Sequence, residues 1–199
     1  MKRVMLYFGS FNPIHKGHIA LAEYAVEKGL CDELVLVVSP QSPYKQAEEL
    51  APEMDRFEMA EAACAASRYP DRVCAMIEFN KALSKKIYAG ADMFLMPSKS
   101  EPCGLSQMIA SRYGTVAIVR ETGGLADTII PYNEFENTGN GFSFVNYNAH
   151  DMMNTVYYAR TVYGDGEKWR SIVRRAMDTD FSWHSSAGKY IDLYTSMQY

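Results

Sequence analysis

Short apolar runs alternate with segments of helical periodicity along most of the chain, and this alternation constrains the fold more than any other feature. Residues 4–8 and 33–38 (ELVLVV) are apolar runs, and residues 17–29 carry apolar side chains at helical spacing before a glycine. Repeated strand–helix alternation indicates a parallel sheet covered by helices on both faces. Continuously apolar strands are typical of such a sheet. The sequence therefore predicts a Rossmann-like, doubly wound α/β fold with extra C-terminal helices.

The remaining patterns complete this prediction. We expect strands at 73–79, 92–97, 115–119 and 142–145, and helices at 52–66, 80–89, 105–113, 149–163, 167–178 and 184–197. Asn80 is expected to cap its helix. The apolar stripe of helix 52–66 consists of Met54, Phe57, Ala60 and Cys64. Long loops are expected at 39–52 and 129–141. The common strand order 3-2-1-4-5 would place strand 1 beside strand 4.

Composition excludes several classes of partner. The chain has 199 residues and a formal net charge of −4, so it has no basic field for a nucleic-acid backbone. No apolar run approaches the roughly 18 residues that span a membrane, and the short N-terminal apolar run is not a signal sequence. The cysteines lack metal-ligand spacing, so we expect no metal and free thiols in a cytoplasmic protein. These cysteines are Cys31, Cys64, Cys74 and Cys103.

The loop after the first strand, GSFNPIHKGH at 9–18, is a candidate phosphate site. Gly9 and Gly17 would let the backbone approach a ligand, and the following helix N-terminus presents unpaired N–H groups. His15 and His18 would add hydrogen bonds to phosphate oxygens. The alternative on spacing alone is a tight strand-to-helix turn with surface histidines.

This loop resembles the N-terminal signature of nucleotidylyltransferases, whose hallmark is His/Thr-x-Gly-His. The resemblance is to bacterial nicotinate-nucleotide adenylyltransferases, and it continues through CDELVLVVSPQSPYK and MDRFEMAEAA to about residue 72. It implies that His15 and His18 contact ATP phosphates and stabilise charge as pyrophosphate leaves. The implied nucleotide-binding set is Gly9, Ser10, Phe11, His15, Gly17 and His18.

Two further loops follow predicted strands at the same edge of the sheet. In PSKSEPCGLSQ, at 97–107, Glu101 precedes a helix, and its carboxylate would hold a sugar hydroxyl or simply favour the helix dipole. In RETGGLADT, at 120–128, Gly123 and Gly124 open a short helix, although glycine pairs are common in turns. Alone, neither loop specifies a ligand.

Together these loops closely resemble the C-terminal domain of bacterial glycogen (starch) synthases, which are ADP-glucose-dependent glucosyltransferases. The resemblance runs from about residue 73 to 199 and includes YAGADMFLMPSKSEPCGLSQMIASRYGTVAIVRETGGLADTI and DFSWHSSAGKYIDLY. It implies that the EPCGL motif binds the nucleotide sugar, with the TGG turn nearby. The implied residues are Glu101, Cys103, Gly104, Leu105, Thr122, Gly123 and Gly124.

The two resemblances meet near residues 68–74 (RYPDRVC), which predicts a chimera folded as one hybrid domain over 1–199. The late Ser/Thr-rich, Arg-containing motif of the adenylyltransferases is absent, and so is the Lys-x-Gly-Gly loop of the glycogen synthases. We therefore expect no complete active site, with His15, His18 and Glu101 as incomplete catalytic remnants. The expected ligand is a weakly bound adenine nucleotide (ATP, ADP or ADP-glucose), with no required cofactor. The alternative is an active adenylyltransferase or glucosyltransferase.

The last predicted helix, 184–197, carries an apolar stripe. In the glycogen synthases that this part of the chain resembles, the helix would cross to another domain. Here we expect it to pack on its own sheet, to pack against a partner chain or to stay exposed. A homodimer through the C-terminal helices is one expected outcome. The stripe consists of Ala187, Tyr190, Ile191, Tyr194 and Met197.

Overall fold

A computed structural model describes residues 3–38, 51–76 and 81–197. The described residues form a parallel sheet of order β3-β2-β1-β4-β5-β6. This confirms the predicted Rossmann-like fold and the 3-2-1-4-5 order, with β6 added beside β5. The strands are β1 (Val4–Gly9), β2 (Glu33–Val38), β3 (Val73–Met76), β4 (Met93–Met96), β5 (Val116–Arg120) and β6 (Phe142–Phe144).

Helices connect and cover the strands. They are α1 (Lys16–Glu27), α2 (Glu53–Ala65), α3 (Lys81–Gly90), α4 (Ser106–Arg112), α5 (Gly124–Thr128), α6 (Ala149–Tyr163), α7 (Gly166–Asp178) and α8 (Trp183–Ser196). Most bounds lie within one or two residues of the prediction. The predicted cap Asn80, the end of the predicted strand at 77–79 and most of the predicted loop at 39–52 lie outside the described residues.

The topology brings two loop systems to one edge of the sheet. β1 pairs in parallel with β2 on one side and β4 on the other, with Tyr7 opposite both Leu36 and Leu95. After β3 the chain therefore crosses to the other side of β1, and successive strands are then added in the opposite direction, starting with β4. Because the carboxyl ends of parallel strands share an edge, the loops after β1 and β4 are neighbours at the switch point, where such folds bind ligands.

The two faces of the sheet bury separate apolar clusters. Met5 faces a larger cluster that includes Ile118 and Ile172, while the next residue, Leu6, faces a smaller cluster that includes Phe94. Successive strand side chains point to opposite faces, and both faces are covered. This burial holds the strand ends, and hence the loops that follow them, in place.

Helix α8 takes the third of the outcomes left open by the sequence. Within the described residues it contributes no buried side chain. Trp183 is 90% exposed and Tyr194 is 63% exposed, so the apolar stripe faces solvent. Among the described residues, no helix combines the length and apolar character needed to cross a bilayer.

Candidate functional site

The two histidines of the β1–α1 loop cap helix α1 reciprocally. The His15 Nδ1 accepts a hydrogen bond from the Gly17 N–H at 3.2 Å, and the His18 Nδ1 accepts one from the His15 N–H at 3.1 Å. This is a capping box, in which the N-cap and N3 side chains each satisfy a backbone donor. The rings are stacked, with centroids 3.7 Å apart. The histidine side chains therefore already accept hydrogen bonds from backbone N–H groups that we expected to bind a phosphate.

Both capping bonds require neutral imidazole rings that carry their proton on Nε2, because a protonated Nδ1 cannot accept. Burial and the neighbouring His15 lower the pKa of His18 to about 4. Phe11 packs edge-on against the His18 ring, with centroids 5.1 Å apart. His18 is thus held neutral at pH 7, with Nε2–H as its remaining donor. The bonds join the histidines to their own loop and not to core carbonyls.

A buried arginine, which the sequence analysis missed, holds the β1–α1 loop through hydrogen bonds to backbone carbonyls. Arg56 is 1% exposed and donates from Nη1 to the Ser10 carbonyl at 2.7 Å and from Nε to the Ala51 carbonyl at 2.9 Å. The Ala51 N–H donates to the Asn12 side chain at 3.0 Å. The start of α2 is thereby tied to the loop after β1.

The predicted buried face of α2 was partly wrong. Ala60 and Cys64 are buried as expected, but Met54 is 52% exposed and Arg56 takes the inner position instead. The carbonyls of the neighbouring loop supply the reason, since they satisfy a guanidinium and cannot satisfy a thioether. The signal in the sequence that could have indicated a buried Arg56 was its position beside the apolar stripe in MDRFEMA.

The loops after β4 and β5 interlock, as the resemblance to glycogen synthases implied. The Gly124 N–H donates to the Glu101 carbonyl at 3.1 Å. A Cβ added to Gly123 would lie 2.1 Å from the Glu101 carbonyl oxygen, and one added to Gly124 would lie 2.1 Å from that of Cys103. Gly123 also has a φ of 46°. Glycine is required at both positions because the two backbones are in direct contact.

Gln107, also missed from the sequence, fixes the other side of the EPCGL loop. Its fully buried side chain donates from Nε2 to the carbonyls of Cys103 at 3.0 Å and Gly104 at 2.8 Å, and to Thr128 Oγ1 at 3.2 Å. A Cβ on Gly104, which has a φ of 74°, would lie 2.4 Å from Gln107 Oε1. The loop is therefore preorganised from α4 and α5 together.

The upper surface of the EPCGL loop is accessible. Cys103 is an exposed free thiol, and Leu105 is 67% exposed as the N-terminal cap residue of the seven-residue helix α4. Arg120, at the end of β5, donates to the Lys99 carbonyl at 2.7 Å and lies over the Tyr147 ring. Among the described residues, no cluster of three or more His, Cys, Asp or Glu side chains could hold a metal ion.

These loops and their sheet were compared with known proteins. A family model described as cytidylyltransferase-like matches residues 6–163. The chain belongs to the cytidylyltransferase-like family. The match spans both loop systems, so it covers the part of the chain that resembles adenylyltransferases and most of the part that resembles glycogen synthases.

Curated relatives match a shorter region at higher identity. The chain is 60% identical over 131 residues to a glycogen synthase of Lachnospira eligens, and 57% identical over 129 residues to one of Anoxybacillus flavithermus. Each alignment covers 65% of this chain and 27% of the relative. The chain therefore spans about a quarter of the length of these relatives.

A solved structure extends the similarity to the whole fold. The catalytic domain of starch synthase IV from Arabidopsis thaliana, bound to ADP and acarbose, superposes with a TM-score of 0.73 at 32% identity. The match covers 98% of this chain and 38% of the other. The glycosyltransferase-like arrangement of the sheet thus includes the N-terminal strands as well.

These findings overturn one interpretation made from the sequence. The prediction of a domain with no complete active site and at most weak nucleotide binding is wrong, because the chain is 57–60% identical to glycogen synthases over about 130 residues and shares the fold of a starch synthase catalytic domain. The sequence argument counted missing motifs from two families. It gave too little weight to a loop geometry that the structure retains. The starch synthase structure holds ADP, one of the nucleotides expected from the sequence, and the comparisons do not support ATP.

Proposed function

We propose that this chain acts in glucosyl transfer from ADP-glucose, and that the donor binds at the carboxyl edge of the sheet beside β1 and β4. The observation that carries the proposal is the interlocked pair of loops, in which Gly124 donates to Glu101 and Gln107 holds Cys103 and Gly104. A preorganised loop can present its N–H groups to a diphosphate without reorganisation during reaction.

Each group at this edge has a role that suits its chemistry. Glu101, which is partly exposed, would accept hydrogen bonds from ribose or glucose hydroxyls. The backbone of Gly104 and Leu105 would face the diphosphate, with the turn at Thr122, Gly123 and Gly124 behind it. The exposed Lys16, in the neighbouring loop, would supply positive charge. The neutral His18 would contribute its Nε2–H, since its Nδ1 already accepts a hydrogen bond.

The test measures the transfer of labelled glucose from ADP-glucose to maltotetraose and the ADP that is released with it. We expect turnover with ADP-glucose, and Glu101→Gln should lower it by about 10²–10³-fold if the carboxylate contacts the reacting sugar. Glu58→Gln, which changes an exposed glutamate on α2, should not alter it. Absence of both transfer and ADP binding in a cooperatively folded protein would refute the proposal.

Nucleotidyl transfer is a second candidate, and the His15–His18 loop after β1 favours it together with the cytidylyltransferase-like family match. The histidines would leave their capping bonds and donate to triphosphate oxygens. Pyrophosphate release from ATP or CTP in the presence of nicotinate mononucleotide would support this reaction. Absence of pyrophosphate release, or release that His18→Gln leaves unchanged, would argue against it.

We further propose that residues 1–199 fold as one cytoplasmic domain of two-part origin, with a junction near residues 68–74. The free, unpaired cysteines are in keeping with a reducing compartment. The β1–β4 pairing supports a single unit, because β1 belongs to one part and β4 to the other. Urea unfolding should then be one transition by both tryptophan fluorescence and circular dichroism. Two separate transitions would contradict a single domain.

A further inference from the structure

A groove of about 530 Å³ lies between helix α4 and the segment that joins α7 to α8. Leu105 and Ile109 line it from the side of α4, and both are exposed. Phe181 lines it from the joining segment, residues 178–182. Apolar side chains from two distant parts of the chain therefore meet at a groove that is open to solvent.

Helix α8 presents its apolar face away from the rest of its own chain. None of its side chains is buried. Its partly buried residues are the small Ser185, Ser186 and Gly188. Trp183, Tyr190 and Tyr194 recur at helical spacing, so they share one face, and all three are exposed. The helix therefore approaches its own chain through small residues and turns its aromatic side chains to solvent.

The groove and the apolar face of α8 form one continuous surface. Ser182 lines the groove, and α8 begins at the next residue, Trp183. The helix has 14 residues, so it extends the apolar surface by about 21 Å beyond the groove. Both parts stay exposed, so in this arrangement neither covers the other. Contiguous exposed apolar surface of this kind marks an interaction site.

The charges of the two parts are complementary. Two exposed carboxylates, Asp178 and Asp180, line the groove, and Asp178 is the last residue of α7, where the helix dipole adds negative potential. Arg112 also lines the groove, but it donates to a main-chain carbonyl of its own chain at 2.8 Å. Lys189 is exposed near the edge of the apolar face of α8, while Asp192 lies on the opposite side of the helix. The face of α8 therefore brings positive charge to a groove with an acidic rim.

We propose that the groove binds helix α8 of a second copy of this chain, and that each copy places its α8 in the groove of the other. A twofold dimer uses the same patch on both copies, so that patch must contain both halves of the contact. Here the groove and the helix are adjacent parts of one patch. This self-complementarity favours a second copy over an unrelated protein.

The available area agrees with a stable dimer, because each copy would cover both its own helix face and its own groove. Large aromatic side chains bury about 150–250 Å² each. Trp183, Tyr190 and Tyr194 together with the groove therefore reach the order of the ~800 Å² that a stable interface covers per partner. The proposal rests on these exposed surfaces and not on glucosyl transfer, so each can fail without the other.

The experiment is sedimentation velocity of the full chain over a range of protein concentrations. We expect a dimer whose dissociation constant rises by about 30-fold or more in Ile109→Glu, in the groove, and in Ile191→Lys, on α8. Each change places an unpaired charge in an apolar contact. An equimolar mixture of the two variants should dimerise within about tenfold of the wild type. In that mixture one groove and one helix are unaltered, and the other contact brings opposite charges together.

The control is Met59→Glu on α2. Met59 is 37% exposed, close to the 40% of Ile109, and lies outside the proposed interface, so dimerisation should be unchanged. A dimer that Ile191→Lys breaks but Ile109→Glu leaves intact would place α8 against α8 and overturn the proposal. A mixture of the two variants that fails to dimerise, or a wild type that stays monomeric, would overturn it as well.

Tryptophan emission gives a second readout in the unsubstituted protein. The chain has two tryptophans, of which Trp169 is buried and Trp183 is exposed. Dimerisation should therefore shift the emission to shorter wavelength as the protein concentration rises, and Trp183→Phe should abolish the shift. Emission that stays constant while the dimer forms would show that the face of α8 is not covered, and the proposal would then fall.

Discussion

At the residue scale, His18 links the pH to the stability of the β1–α1 loop. Its pKa is lowered to about 4, against 6.5 for the unperturbed side chain, so the folded state binds a proton less readily than the unfolded state. The contribution of His18 to stability is therefore full above pH 6.5, falls as the pH decreases and is lost completely below about pH 4.

We predict that His18→Gln flattens this pH dependence. Glutamine accepts a backbone N–H at the N3 position of a capping box but does not titrate. The urea midpoint of the wild type should fall more between pH 7.5 and 5 than that of the variant. His184→Gln, at an exposed position in α8, is the control and should follow the wild type. Parallel pH profiles of wild type and His18→Gln would disprove the capping role.

Gly124 is the second residue with a local effect on the site. We predict that Gly124→Ala destabilises the protein by about 1–3 kcal/mol, because the new Cβ would overlap the Cys103 carbonyl. ADP binding should weaken in parallel as the two loops separate. Urea unfolding and titration with ADP measure the two effects.

The control for Gly124 is another helical glycine. Gly188 has no atom within 4 Å of its added Cβ, so Gly188→Ala should stabilise α8 by about 0.5–1 kcal/mol. If both alanine variants behaved alike, close packing of the β4 and β5 loops would not explain the glycine at position 124.

At the element scale, Arg56 couples α2 to the loop after β1. We predict that Arg56→Lys destabilises the protein by about 1–3 kcal/mol, since an ammonium cannot reproduce the forked contacts with Ser10 and Ala51. Amide hydrogen exchange in residues 9–18 should accelerate. Arg174→Lys, on the exposed face of α7, provides the control. Unchanged exchange in 9–18 would show that the arginine does not hold this loop.

At the scale of the whole molecule, helix α8 leaves an apolar face exposed. Tyr190, Ile191, Tyr194 and Met197 are each 61–70% exposed, and Trp183 is 90% exposed. Large aromatic side chains bury about 150–250 Å² each when they are covered, so this face is of the order of the ~800 Å² that a stable interface needs per partner.

The homodimer expected from the sequence stays a prediction. Light scattering at rising protein concentration should show a dimer, and Ile191→Lys should shift it to a monomer without changing the circular dichroism spectrum. Lys168→Glu, on an exposed part of α7, should leave the mass unchanged. A wild-type protein that stays monomeric at the highest concentration would contradict self-association through α8.

Local pattern was sufficient for the sheet and its helices. Runs such as Glu33–Val38 and the helical stripe of α1 specify their elements through side-chain periodicity, and the strand order over β1 to β5 is the common one of the predicted fold class. The sequence also located the three loops at the carboxyl edge of the sheet. Their residues are contiguous in the chain, so short motifs could identify them.

Tertiary structure alone decided what those residues touch. Arg56 and Gln107 lie far in sequence from carbonyls or hydroxyls that they bind, and no local period reports such contacts. The groove beside α4 likewise depends on the separate placement of α4 and the segment that joins α7 to α8. The sequence by itself determined the helices and strands and their order along the chain, because these depend on local periodicity. The partners of buried polar groups depend on packing between distant segments, which only the folded chain defines.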